Sequence, residues 1–206
     1  MNFIKNNSYD ITRLFINQIG ITIFSLVLYL STGFVEDTVL RGKLWLMVSI
    51  GATLFYFALL YCASWEFGAK DKIRIDSGKY KKVPMKGALM SLLANSLNII
   101  LALVSAICIG VYINTPTLQG AESAVANAAG ITSMLSHFIS AMFIGIVGLF
   151  KSIPVDEMTV NLLDSLGYLA MYLVTVGVTQ LGYFMGERNY RISSLFGVQS
   201  NQANRK

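Results

Sequence analysis

Asn95, Asn98, His137, Asp164 and Thr175 are the residues of this 206-residue sequence whose types and settings are suited to chemistry. All five lie inside long apolar runs, where a hydrogen-bonding or ionisable side chain must be satisfied by partners or retained for a function. Ser91, Asn95, Asn98, Ala102 and Ser105 follow one another at steps of four, three, four and three, which is one continuous helix face. Two accounts fit that face. One is a close helix–helix seam, with small residues allowing approach and amides bonding across it for about 1 kcal/mol or less each. The other is a polar path or small-solute site lined by Asn95 and Asn98.

Asp164, Tyr168, Tyr172, Thr175 and Thr179 repeat the helical spacing further along, with Gln180 alongside. Asp164 stands a few residues inside the boundary of its run, so water can reach it there. If it is deep, a carboxylate facing Asn95, Asn98 or His137 would make a cation or proton site. His137 is the single histidine and shares a polar face with Ser133, Ser136 and Ser140. It is either a proton-titrating group or a hydrogen-bonded packing residue. Asn17 and Gln18, near one end of the first run, are expected at the membrane interface.

Signatures of catalysis are missing: the sequence has no GxxxxGK[ST] phosphate loop, no HExxH, no GxSxG and no CxxC. One histidine cannot build a histidine cluster for zinc, so neither a metal nor another cofactor is expected, and the protein is expected not to be an enzyme. An intramembrane enzyme using a serine as nucleophile and His137 as base, both on 131–150, is the remaining enzymatic option. Cys62 and Cys108 are expected unpaired and buried, because they lie near opposite ends of successive runs.

The elements that must carry these residues are membrane helices. The chain is 54% apolar and 13% charged, and it holds five apolar runs near the roughly 20 residues needed to cross a bilayer. They are 14–32, 44–64, 87–113, 131–150 and 161–185. Their continuity argues against barrel strands, which alternate, so the fold class is an all-α polytopic membrane bundle forming a single domain. Asp10 in the basic region and the lack of a small-x-small site make the first run a retained helix rather than a signal peptide.

The segment 65–87 carries Lys70, Lys72, Arg74, Lys79, Lys81, Lys82 and Lys86. Basic residues stay on the cytoplasmic side, so this segment and the N-terminus are expected inside. If all five runs cross, the polar basic tail 186–206 lies outside. If 131–150 does not cross, the tail returns inside, and the basic residues divide more unevenly between the two faces. The one-sided polarity of 131–150 favours an amphipathic or re-entrant helix there, giving about four crossings; five is the alternative. Similar exits at "EFGAKDKIRI" and "FMGERNYRI" agree with the even number. The stretch 114–130 is expected as an outer loop with a short Ala-rich helix, and Gly182 with Gly186 forms a GxxxG pair suited to close helix contact.

The functional expectation is a small non-enzymatic multi-pass subunit or scaffold. It would pack with a membrane-protein partner or a second copy, and dock a partner or anionic lipid headgroups through the seven basic residues. The alternative is a small-solute, ion or proton transporter using the polar stripes of the third and fifth runs. No motif supports nucleic-acid binding, and the setting expected is a bacterial cytoplasmic membrane.

Overall fold

The computed structural model describes residues 2–115, 124–149 and 157–190. Seven α-helices account for nearly all of them: α1 (Asn2–Thr32), α2 (Thr38–Asp76), α3 (Lys86–Ala94), α4 (Ser96–Asn114), α5 (Ala124–Ile139), α6 (Ile144–Val147) and α7 (Glu157–Glu187). A 3-10 turn, Ala141–Phe143, joins α5 to α6, and no strand occurs among the described residues. The all-α expectation holds.

Each boundary has a local cause. Asp37 caps α2 by accepting from the backbone N–H of Val39 at 2.8 Å and of Leu40 at 3.2 Å. Gly78 takes a positive φ of 71° just beyond its far end, where Gly78 N–H donates to Ile75 and Lys79 N–H to Arg74. The third apolar run is interrupted at Asn95. Its Nδ2 donates to the Ser91 carbonyl at 2.9 Å, the same oxygen that accepts the Asn95 backbone N–H, and a side chain competing for its own i−4 carbonyl disturbs a helix.

The 39 residues of α2 make a rod of roughly 58 Å, about twice the hydrocarbon thickness of a bilayer. Most of the basic segment 65–87 is therefore helix projecting beyond the membrane, and only 77–85 connects α2 to α3. Helical hydrophobic faces point outward: Ile23, Val27, Leu54, Ile107, Leu173 and Leu181 are all more than half exposed. An apolar belt of that kind is stable against lipid and not against water. Four helices are long and apolar enough to cross.

The segment 124–149 is bent by 80° between α5 and the 3-10/α6 portion, and its contacts trace a path. It starts beside the end of α4, where Ile109, Ala129 and Ser133 line one cleft. At mid-bundle the Ile139 carbonyl accepts from Thr22 at 2.9 Å and the Met142 carbonyl from Ser49 at 2.7 Å. It then climbs back along α2 until Gly148 and Leu149 share a cleft with Val39, Gly42 and Lys43. Both ends of the segment thus lie at the end of the bundle that holds the α1–α2 turn, and its tip is buried at half depth. Within the bundle the segment turns back as a hairpin, beside four helices that are each long and apolar enough for a full pass, and Asn2, the 77–85 connection and Tyr190 share the opposite, basic end.

Packing is closest between α2 and α7. A Cβ at Gly68 would stand 2.1 Å from the Tyr183 carbonyl oxygen, one at Gly182 2.8 Å from that of Tyr61, and one at Gly186 2.0 Å from that of Trp65. The GxxxG pair is consumed inside the chain. Tyr56, Leu60, Phe67, Met142, Phe143 and Tyr172 fill the centre.

Candidate functional site

One face of α7 carries a file of buried polar residues from one end of the bundle to the other. Asp164, Tyr168, Tyr172, Thr175, Thr179 and Tyr183 are each 3% exposed or less, at spacings that keep them on one side of the helix. The fifth-run stripe read from the sequence is thus an interior stripe, with Tyr183 as its unrecognised continuation.

At one end the Asp164 carboxylate meets His137. His137 Nε2 is 3.1 Å from Asp164 Oδ2, while Nδ1 is 2.8 Å from the Ser133 carbonyl. A carbonyl only accepts, so Nδ1 carries its hydrogen. A second proton must then lie between Nε2 and Oδ2, on the imidazole as an ion pair or on the carboxyl as a neutral pair. The pair therefore shares one proton across the 3.1 Å contact. Its two members differ in access: the His137 side chain is 30% exposed and that of Asp164 is 2%. His137 looks into a cleft of about 420 Å³ bordered by Ile109, Gly130, Met134 and Phe138. Tyr168 packs edge-on to the imidazole, with ring centroids 5.4 Å apart.

Along the file, Ser140 and the Tyr172 hydroxyl are 2.6 Å apart, and Thr175 donates to the Met171 carbonyl at 2.9 Å. Thr179 lies 3.3 Å from Ser91 Oγ. Near the basic end the file closes on a second ionic group: Lys86 Nζ is 2.6 Å from Asp71 Oδ2, and the Tyr183 hydroxyl donates to the same oxygen at 2.7 Å. Lys86 also faces the Tyr80 ring at 5.0 Å from its centroid.

The Asn95 and Asn98 face is buried as its spacing requires, with Ser91, Ala102 and Ser105 fully buried beside them. Its two ends close onto α7, through Ser91 with Thr179 and through Ser105 with Ser165 at 2.9 Å. The middle differs. Asn98 Nδ2 and Oδ1, and Asn95 Oδ1, make no well-formed hydrogen bond among the described residues, Asn95 lying beside the Tyr56 hydroxyl. Gln18 was expected at the interface but is 2% exposed, because α1 begins at Asn2 and carries it well into the bundle. Its amide is likewise without a partner.

The basic residues separate into two groups. Lys70 pairs with Glu66, which also holds Arg13 of α1 at 2.7 Å; Lys82 pairs with Glu187; and Arg74 is 4.0 Å from Asp71. Lys86 leaves the docking set altogether, since it is 1% exposed and its charge is spent on Asp71. Lys72, Lys79 and Lys81 form no ion pair among the described residues. Arg191, Arg205 and Lys206 of the expected basic tail, and Gly120 of the expected outer loop, lie outside the described residues; the Ala-rich helix is the first part of α5. Cys62 and Cys108 are free, and Cys62 is exposed on the lipid face rather than buried. No three His, Cys, Asp or Glu side chains converge as metal ligands among the described residues.

Asp71 escapes a reading of the sequence because Lys70 and Lys72 flank it, the usual look of a solvated helix end. A signal was present: Ser49, Thr53, Tyr56, Leu60, Ala63, Phe67 and Asp71 recur at steps of three and four, and all seven are buried. Comparisons of the chain with known protein families, with curated proteins and with solved structures returned no match.

Proposed function

We propose that the protein is a small multi-pass membrane transporter in which the proton held between His137 and Asp164 is exchanged during movement of a solute through the bundle. The 3.1 Å contact between His137 and a buried Asp164 carries this reading. A carboxylate buried inside a membrane-helix bundle and paired with a histidine is a candidate for a proton relay or ion path. Two further arrangements support it. The partly exposed imidazole gives the pair a route to the cleft, and the file along α7 supplies hydroxyls from Tyr168 to Tyr183 towards Asp71 and Lys86. The re-entrant hairpin supplies the irregular backbone that membrane proteins tolerate only where it is buried or lines a cavity. No enzymatic step is assigned. In this reading the basic end faces the cytoplasm, as the distribution of Lys and Arg requires.

Reconstitution into vesicles carrying a pH-sensitive dye tests the reading. Wild-type protein is expected to pass protons, and Asp164→Asn to remove the flux while remaining folded.

A second reading has its own support in Lys72, Lys79 and Lys81, three cations that form no ion pair among the described residues and cluster at the α2–α3 connection. They suit anionic headgroups or an acidic partner at about 1 kcal/mol each near a membrane surface. Replacing all three by Gln should lower retention of anionic lipid without altering proton flux.

A further inference from the structure

The polar face of α3 and α4 is satisfied at its ends and unsatisfied in its middle. Asn95 and Asn98 are 1% and 3% exposed, yet three of their four amide atoms make no well-formed hydrogen bond among the described residues. Gln18 reaches the same level from α1: Ile11, Thr12 and Phe15 line one cleft with Ala94, Ser96 and Leu97, α1 and α4 both run away from the basic end, and Gln18 and Asn98 each stand about one turn further on. Tyr56 adds a hydroxyl, itself without a well-formed hydrogen bond, next to Asn95. The cluster is thus a knot of neutral amide and hydroxyl groups against the tip of the re-entrant hairpin, at half depth in the bundle.

Leaving these groups bare in a dry interior would carry the full desolvation cost of each. Their chemistry specifies what can relieve that cost. The unpartnered atoms comprise acceptors, Asn95 Oδ1, Asn98 Oδ1 and Gln18 Oε1, together with donors, Asn98 Nδ2 and Gln18 Nε2. A cation would satisfy only the oxygens and would face the amide N–H groups. An anion would satisfy only the nitrogens. No member of the knot carries a formal charge, and the ionic groups Asp164 and Asp71 are engaged at the two ends of the α7 file.

We infer that Gln18, Tyr56, Asn95 and Asn98 form a binding site for a small neutral molecule that both donates and accepts hydrogen bonds, either water or a solute of the urea or polyol class. The inference rests on the transport reading and gives it a substrate class. The site sits where a transporter binds its cargo, at the midplane beside broken helices. The interruption at Asn95 and the hairpin tip make the two breaks.

Stopped-flow light scattering on reconstituted vesicles tests it, with water, urea and glycerol as probes and proton flux followed in the same preparation. At least one probe should equilibrate faster than in protein-free vesicles. Asn98→Leu and Gln18→Met should slow that probe by about tenfold, the effect of losing one buried hydrogen bond, without lowering thermal stability, because they remove unsatisfied groups. Acceleration of water alone assigns the occupant as water, and acceleration of urea or glycerol assigns it as a solute. No acceleration of any probe, or unchanged rates in both folded variants, overturns the site. Proton flux decides the other reading separately: probe permeation without it leaves this site standing and removes the His137–Asp164 coupling, and the reverse removes this site alone.

Discussion

Lys86 and Asp71 form an ion pair of 2.6 Å in which both side chains are at most 3% exposed, although each lies in a stretch crowded with exposed charge. The contact ties the start of α3 to the projecting end of α2, and Tyr183 brings α7 to the same carboxylate. Three helices meet on one oxygen.

Removing one partner strands the other charge. Lys86→Met should destabilise the protein by about 3–5 kcal/mol in denaturant titrations in detergent, and the double change Lys86→Met with Asp71→Leu should recover most of that loss. Equal destabilisation by the single and double changes would show that the pair carries no coupling.

Ser49 pins the hairpin tip. Its hydroxyl donates to the Met142 carbonyl at 2.7 Å and accepts from the backbone N–H of Gly145 at 3.1 Å and Ile146 at 3.2 Å. Ser49→Ala leaves the Gly145 and Ile146 N–H groups without this acceptor, while the Met142 carbonyl keeps Thr53 at 3.1 Å, and a loss of about 1–3 kcal/mol is expected. Hydrogen exchange at Gly145 and Ile146 should accelerate while the core of α2 stays protected.

The α2–α7 seam gives a contrast between two glycines on one helix. Gly186→Val would drive a side chain into the Trp65 carbonyl, whereas a Cβ at Gly177 meets nothing within 4 Å. The first variant should fail to purify as a monodisperse species. Gly177→Ala should be neutral or stabilising by up to about 1 kcal/mol.

Topology follows from the hairpin. In a cysteine-free background, single cysteines at Glu36 and Leu149 should react with an impermeant thiol reagent from one side, and those at Lys79 and Tyr190 from the other. Leu149 labelling with Lys79 would mean that 124–149 crosses.

Much of this architecture was legible before any coordinates, because bilayer thickness sets the length of an apolar run and helical period sets its polar face. The α7 stripe and the Asn95–Asn98 face were readable on those grounds alone. The side chains that complete them were not. Asp71 is hidden by its charged neighbours, and the burial of Lys86 depends on a partner fifteen residues away meeting it in space. Gln18 was misplaced because charge at Arg13 marks a boundary, while the helix continues to Asn2. The meeting of His137 with Asp164 depends on how α5 docks between α4 and the outer half of α7, a tertiary placement that helical spacing alone does not encode. The direction of a chain reversal is set by tertiary contacts such as Ser49 to Met142, and local sequence does not encode them.

The most direct test of the account is proton flux through vesicles containing wild-type protein, Asp164→Asn or His137→Gln, each confirmed as folded by its thermal transition. The account predicts flux above protein-free vesicles for the wild type and at least a tenfold loss in both variants, with the triple change of Lys72, Lys79 and Lys81 to Gln leaving flux intact. Wild-type flux no greater than that of empty vesicles, or undiminished flux in folded Asp164→Asn, would contradict it.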